Sequence, residues 1–304
     1  MLYFFLALIA LLCWSGSDLF SKIGSKPNDK YSHWKMVMAV GLVMGLHAGY
    51  EIVVGGVSVT FADIIKYLPS SFFYILSMVL GYIGLRYIEL SISSPVCNSS
   101  GALAWILCLI FIPDTDKSAL NLLGAVLVCA GVVILSIVEY RENDEARALR
   151  QQKANVKYAF SPLAIALPIL YCLFDAAGTF ADELILDNWL SEDVANVAYE
   201  LTFLAMGIFA FIYTVIIKRS KLNFKDDGAK LLGGVFETAG QFAYIYVIGS
   251  DFHAGIPMIS AYCTVSMLWS RIFLKEKLSW KHYASIAVVV LGIITLGISE
   301  MLGG

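Results

Sequence analysis

Residues 286–298 read IAVVVLGIITLGI, and residues 125–137 read AVLVCAGVVILSI. Each is a largely apolar run with a glycine at the seventh place, Gly131 in one and Gly292 in the other. With its flanks, each run reaches the roughly 20 apolar residues that an α-helix needs to cross a bilayer. Similar stretches recur along the chain. Ten membrane helices are predicted near 2–22, 33–54, 68–88, 93–112, 118–138, 159–182, 194–217, 229–249, 254–273 and 280–300. Turn signals separate them: SKPNDK at 25–30, Pro69, Pro95, PDTDK at 113–117 and KLSW at 277–280.

The whole composition agrees. The 304 residues are 59% hydrophobic and only 15% charged, with a mean hydropathy of +0.76. A soluble domain carries about 45–50% apolar and about 25% charged residues. A net charge of −3 leaves no basic field, so no nucleic-acid partner is expected. Cys13, Cys97, Cys108, Cys129, Cys172 and Cys263 form no CxxC pair and lie in apolar stretches, which argues against zinc and disulfides. No nucleotide-binding glycine pattern, HExxH or nucleophile elbow is present, so neither a cofactor nor a metal is expected. The N-terminal MLYFFLALIALLCWSGSDLFSK lacks a basic leader and a small-residue cleavage site. It reads as a retained first helix.

The longest polar stretch, YRENDEARALRQQKANVK at 140–157, divides the chain into two halves of five helices. The halves are alike. Pro95 and Pro257 both open the fourth helix of their half, and Tyr82 and Tyr244 both lie in the third. Trp14 and Asp18 in helix one are matched by Tyr171 and Asp175 in helix six. An odd number of helices per half sends the second copy in from the opposite side. The expected architecture is an all-α membrane protein of ten transmembrane helices in two inverted five-helix repeats, a plan typical of secondary transporters. The first repeat is placed at 1–139, a cytoplasmic linker at 140–158 and the second repeat at 159–304.

Residues 266–298, SMLWSRIFLKEKLSWKHYASIAVVVLGIITLGI, resemble the drug/metabolite transporter superfamily in its ten-helix EamA-like branch. The likeness lies in a helix, a short acidic loop holding Glu276, and a last helix holding Gly292. The first-half counterpart at 95–137 is similar, and the remaining helices match in pattern alone. The resemblance implies alternating access around a central cavity. It leaves open whether the cargo is an amino acid, a nucleotide sugar, a choline-like cation or a drug.

Lysines and arginines report orientation. Only Lys66 and Lys117 fall on the face of the even-numbered loops; the other nineteen of 21 fall on the odd-numbered face. The positive-inside rule then places the odd loops in the cytoplasm and both termini outside, in a plasma (inner) membrane. Relatives are usually drawn with both termini inside.

Ionisable groups at membrane depth are costly and mark function. Asp18, Asp175, Glu200 and Glu237 lie within predicted spans and His47 is central in helix two, with no basic residue predicted at comparable depth to neutralise the acids. Glu237, Gln241 and Tyr244 are spaced to share one helical face. Tyr74, Trp105, Tyr262 and Trp269 join Trp14, Tyr82 and Tyr171 as aromatic candidates. Rings attract cations, but Tyr and Trp also form interfacial belts, and both readings stand. Asp182 and Glu183 are expected at the interface.

The expected substrate-binding set is Trp14, Asp18, Tyr74, Tyr82, Trp105, Tyr171, Asp175, Glu200, Glu237, Gln241, Tyr244, Tyr262 and Trp269, with Glu200 and Glu237 as proton carriers. The expected activity is secondary transport of a small cationic or zwitterionic metabolite, with proton coupling allowed. The alternative is an exporter of neutral or aromatic amino acids or drugs whose acids are structural. A membrane-embedded enzyme or lipid-handling protein is the distant rival. Expected partners are the small-molecule substrate and membrane lipid; a homodimer is allowed.

Overall fold

The computed structural model describes all residues except 27, 88–89, 113–117, 142–162 and 303–304. Nearly all of the expected linker at 140–158 is therefore outside the described residues. The described chain is helical, with no strand. Lipid offers no partner to a backbone N–H or C=O, so each crossing must satisfy its own as a helix. The helices are α1 (Leu2–Gly24), α2 (Ser32–Val53), α3 (Phe61–Gly84), α4 in two pieces (Leu90–Asn98 and Ser100–Phe111) and α5 (Ala119–Tyr140). They continue as α6 (Leu163–Asn188), α7 (Glu192–Phe211, extended by a π turn to Ile217) and α8 (Phe224–Ile248). α9 is broken (Gly255–Ser260, Tyr262–Trp269, then a π turn to Leu274), and α10 is Trp280–Met301.

Eight of these crossings are long and apolar enough to span a membrane. The other two are α6, which carries Asp175, Asp182, Glu183 and Asp187, and α9, which is broken into short pieces. The chain is an integral, multi-pass membrane protein.

Two of the boundaries that differ from the expected ones bear on the residues below. α3 starts at Phe61 rather than 68, because Thr60 and Asp63 form a capping box. Pro69 then sits inside the helix, where it was expected to mark a turn. α6 runs to Asn188 rather than 182. Asp182 and Glu183, expected at the interface, therefore lie inside the helix and are packed within the protein, 0% and 1% exposed.

The packing is reciprocal between the halves. α1 packs on α8 as α6 packs on α3, and α2 meets α7 as α5 meets α10. The glycines show it atom by atom. A Cβ on Gly131 would lie 2.5 Å from Val289 Cγ2, and one on Gly292 would lie 2.7 Å from Val128 Cγ2. Likewise Gly240 on α8 faces the Trp14 ring, and Gly81 on α3 faces the Tyr171 ring. The broken helices meet at their breaks, where Gly101 of α4 abuts Ser260 of α9. Small residues permit these approaches where no hydrophobic force drives helices together.

Candidate substrate cavity

The broken helices and the α1–α8 and α3–α6 pairs enclose a central cavity of about 80 Å³. Trp14, Asp18, Tyr74, Tyr82, Tyr171, Asp175, Glu237, Gln241, Tyr244 and Tyr262 all line it. Three expected residues do not. Trp105 is packed in the core. Trp269 turns away and donates its Nε1 hydrogen to Ser15 Oγ at 3.1 Å. Glu200 lies between α2 and α7, where His47 Nδ1 is 2.8 Å from Oε1. The expectation that Glu200 lacks a basic partner is corrected: the partner is a histidine 153 residues away. Its neighbour Tyr199 lines the cavity instead.

Each cavity acid is held by hydroxyl donors. Ser17 Oγ donates to Glu237 Oε2 at 2.7 Å, and the two lie on the packed pair α1 and α8. Asp18 Oδ2 accepts from Ser94 on α4 at 2.5 Å and from Ser266 on α9 at 2.8 Å. Asp175 Oδ2 accepts from Ser100 at 2.7 Å, with Ser77 at 3.4 Å from Oδ1. Serines on the broken helices thus reach inward to acids on α1 and α6. These serines escaped the sequence reading because a serine in an apolar run looks the same on every face.

Two of the lining tyrosines, Tyr74 and Tyr244, form a paired layer. Tyr74 and Tyr244 hydroxyls touch each other. Tyr74 OH also donates to Thr179 Oγ1 at 3.1 Å and lies 3.5 Å from Asp182 Oδ2. The Trp14 ring packs on Tyr244 at 5.0 Å and on Tyr262 at 5.7 Å between centroids.

Two features define what the cavity can take. No lysine, arginine or histidine is among its described lining residues, so Asp18, Asp175 and Glu237 have no protein counter-charge there. Three buried donors, Trp14 Nε1, Tyr82 OH and Gln241 Nε2, have no hydrogen-bond partner among the described residues. Buried polar groups in native proteins are nearly always satisfied. The cavity therefore offers negative charge, aromatic faces and spare donors. No group of three His, Cys, Asp or Glu side chains suited to a metal is present among the described residues.

Residues 162–298 match the model of the EamA-like transporter family. Among solved structures 28 chains match. One of these, described as "Crystal structure of protein", superposes with a TM-score of 0.65 at 14% identity, over 99% of this chain and 99% of that one. That likeness is one of fold. No curated protein matches the chain.

Proposed function

From the premise that this chain belongs to the EamA-like transporter family, within the drug/metabolite transporter superfamily, we propose that this transporter of small solutes moves a molecule carrying both a positive charge and a hydrogen-bond acceptor. The observation that carries the reading is the cavity with three carboxylates and no basic side chain among its described lining residues. A cationic group compensates Glu237, Asp18 or Asp175, and the aromatic faces of Trp14, Tyr244 and Tyr262 add roughly 0.5–2 kcal/mol each. An acceptor on the same solute takes the spare donors Trp14 Nε1 and Gln241 Nε2.

The mechanism in this reading is alternating access between two inverted repeats, 1–139 and 159–304. The reciprocal helix pairing supports it. A cavity of about 80 Å³ is smaller than most ligand pockets, which run to about 300–1,000 Å³. Loading a metabolite requires the halves to part. The tyrosine layer of Tyr74 and Tyr244 is the barrier that opens when they do.

A second reading has its own observation. All three acids already accept serine hydroxyls, so they can be structural, and the cargo a neutral or aromatic solute. A thermal-stability screen of the purified protein separates the two, because a ligand of the folded state raises its stability by RT ln(1 + [L]/Kd). Primary-amine zwitterions and choline-like cations should stabilise it, and matched neutral amides should not. Equal stabilisation by the neutral amides would overturn the charged-solute reading.

A further inference from the structure

Outside the cavity, α2 and α7 enclose another buried acid. Glu200 is 0% exposed. His47 Nδ1 lies 2.8 Å from its Oε1 and 3.0 Å from its Oε2, and Asn196 Nδ2 donates to Oε1 at 3.3 Å. With Nδ1–H engaged, the imidazole keeps its lone pair on Nε2. That atom faces Glu51 Oε1 at 3.6 Å, and the His47 side chain is 27% exposed. Glu51 is two residues from the end of α2, His47 six and Glu200 eight from the start of α7. At about 1.5 Å per residue, the three step inward from the face carrying loop 54–60 to a depth of about 12 Å.

We propose that Glu51, His47 and Glu200 form a proton-binding site separate from the solute cavity and loaded from that face. A proton from water adds to His47 Nε2, steered by Glu51. The imidazole becomes imidazolium while Nδ1–H stays on the Glu200 carboxylate. The His47–Glu200 pair thereby goes from a net charge of −1 to zero, and no other bond changes. Histidine is the side chain whose ordinary titration range makes this step usable near neutral pH. A tie that served packing alone would be replaced without loss by apolar side chains. It would need neither a free Nε2 at the protein edge nor a second acid beside it.

The surroundings are acidic or neutral. α7 presents Glu192 and Asp193, the latter accepting from Tyr246 of α8 at 2.5 Å. α8 sets the Phe242 ring 5.3 Å from His47. α3 contributes Tyr67 and Tyr74, packed edge-to-face against Tyr199, and Ser71, which accepts from Thr202. Lys66 of α3 is turned to Asp63 at 3.4 Å.

The link to the cavity is short. α2 and α7 touch at Gly41 and Gly207, where a Cβ on Gly41 would meet Phe203 O at 2.7 Å. The His47–Glu200 pair ties the same two helices nearer the membrane surface. Tyr199, adjacent to Glu200 in the chain, lines the cavity. A proton strengthens the tie, and its loss lets α7 carry Tyr199 with it. Coupling to transport rests on the transporter reading above; proton binding does not.

The deciding measurement is an NMR titration of protein labelled with ¹⁵N at its four histidines, His47 being assigned with His47→Gln. In the parent, His47 Nε2 should titrate between about pH 5 and 8. In Glu200→Gln, which keeps the shape and the Asn196 contact, the midpoint should fall by at least about one pH unit, the usual effect of losing an opposite charge within a few ångströms. A His47 that does not titrate in that range, or an unmoved midpoint, would overturn the site. Coupling is read in liposomes with radiolabelled choline, whose charge is the same at every pH. Glu200→Gln and His47→Gln should equilibrate choline as the parent does but fail to accumulate it on a pH gradient. Gradient-driven accumulation by both variants would remove the coupling. Absence of choline uptake by the parent would count against the solute reading, while the NMR titration still decides the proton site.

Discussion

Glu237 accepts the Ser17 hydroxyl and meets no basic side chain among the described residues of the cavity it lines. A charge at that depth costs several kcal/mol until something compensates it. If the solute's cationic group does so, Glu237→Gln preserves the volume and removes the counter-charge. Binding of a choline-like cation should then weaken by about 1.5–3 kcal/mol, the worth of a hydrogen bond to a charged group. That is tenfold or more in Kd by isothermal titration. Unchanged affinity would return Glu237 to a structural role. Glu200→Gln should leave the same affinity intact, because Glu200 does not line the cavity. The two acids looked equivalent along the chain and differ only in what folds against them.

Gly292 of α10 shows how tightly two helices depend on a missing side chain. A Cβ there would lie 2.7 Å from the Val128 backbone nitrogen and 2.9 Å from the Gly124 carbonyl oxygen. Backbone cannot step aside as a side-chain tip can. Gly292→Leu should therefore cost about 1–3 kcal/mol or more through overpacking, seen as a lower thermal unfolding temperature. Gly49→Leu is the control, since nothing lies within 4 Å of its Cβ position. The loop between α8 and α9 has a different anchor. His253 Nδ1 lies 2.6 Å from Glu183 Oε1, off hydrogen-bond geometry but close enough to pair. Burial acts to keep that imidazole neutral. The Glu183 carboxylate, with Asp187 and Asp251 beyond it, outweighs burial and raises its pKa above the ordinary value. A raised histidine contributes stability below its unfolded pKa and loses it as pH rises through the folded one. Thermal stability should fall as pH climbs from 6 through that titration, and His253→Gln should flatten the decline.

The molecule as a unit has a sidedness written in its charges. In the topology expected from the sequence, Lys66 and Lys117 fall on one face and the other nineteen lysines and arginines on the opposite one. We expect the linker to be cytoplasmic and both termini outside. A cysteine placed at residue 148 should resist an impermeant thiol reagent in intact cells and react after lysis; ready labelling in intact cells would reverse the topology. Alternating access adds a second expectation. In that reading the Tyr74–Tyr244 layer, which reaches Thr179 and Asp182, is the closed barrier. Tyr74→Ala with Tyr244→Ala should raise hydrogen exchange there and speed passive solute leak through liposomes.

The apolar runs at 125–137 and 286–298, and eight more like them, were enough to establish the all-α membrane class and to locate its helices. Hydropathy and helical period are local properties, legible within one span. The shared face of Glu237, Gln241 and Tyr244 was legible for the same reason, and all three line the cavity. Boundaries moved where caps outweighed prolines, as at Thr60 and Pro69. What stayed hidden were partners far apart in the chain: Asp18 with Ser266, Tyr74 with Asp182, and His47 with Glu200. A helix presents every side to something, and its own sequence does not say whether that is lipid, another helix or a cavity. Packing of the two halves against each other assigned those faces, and with them the separation of a solute cavity from a buried histidine–glutamate pair.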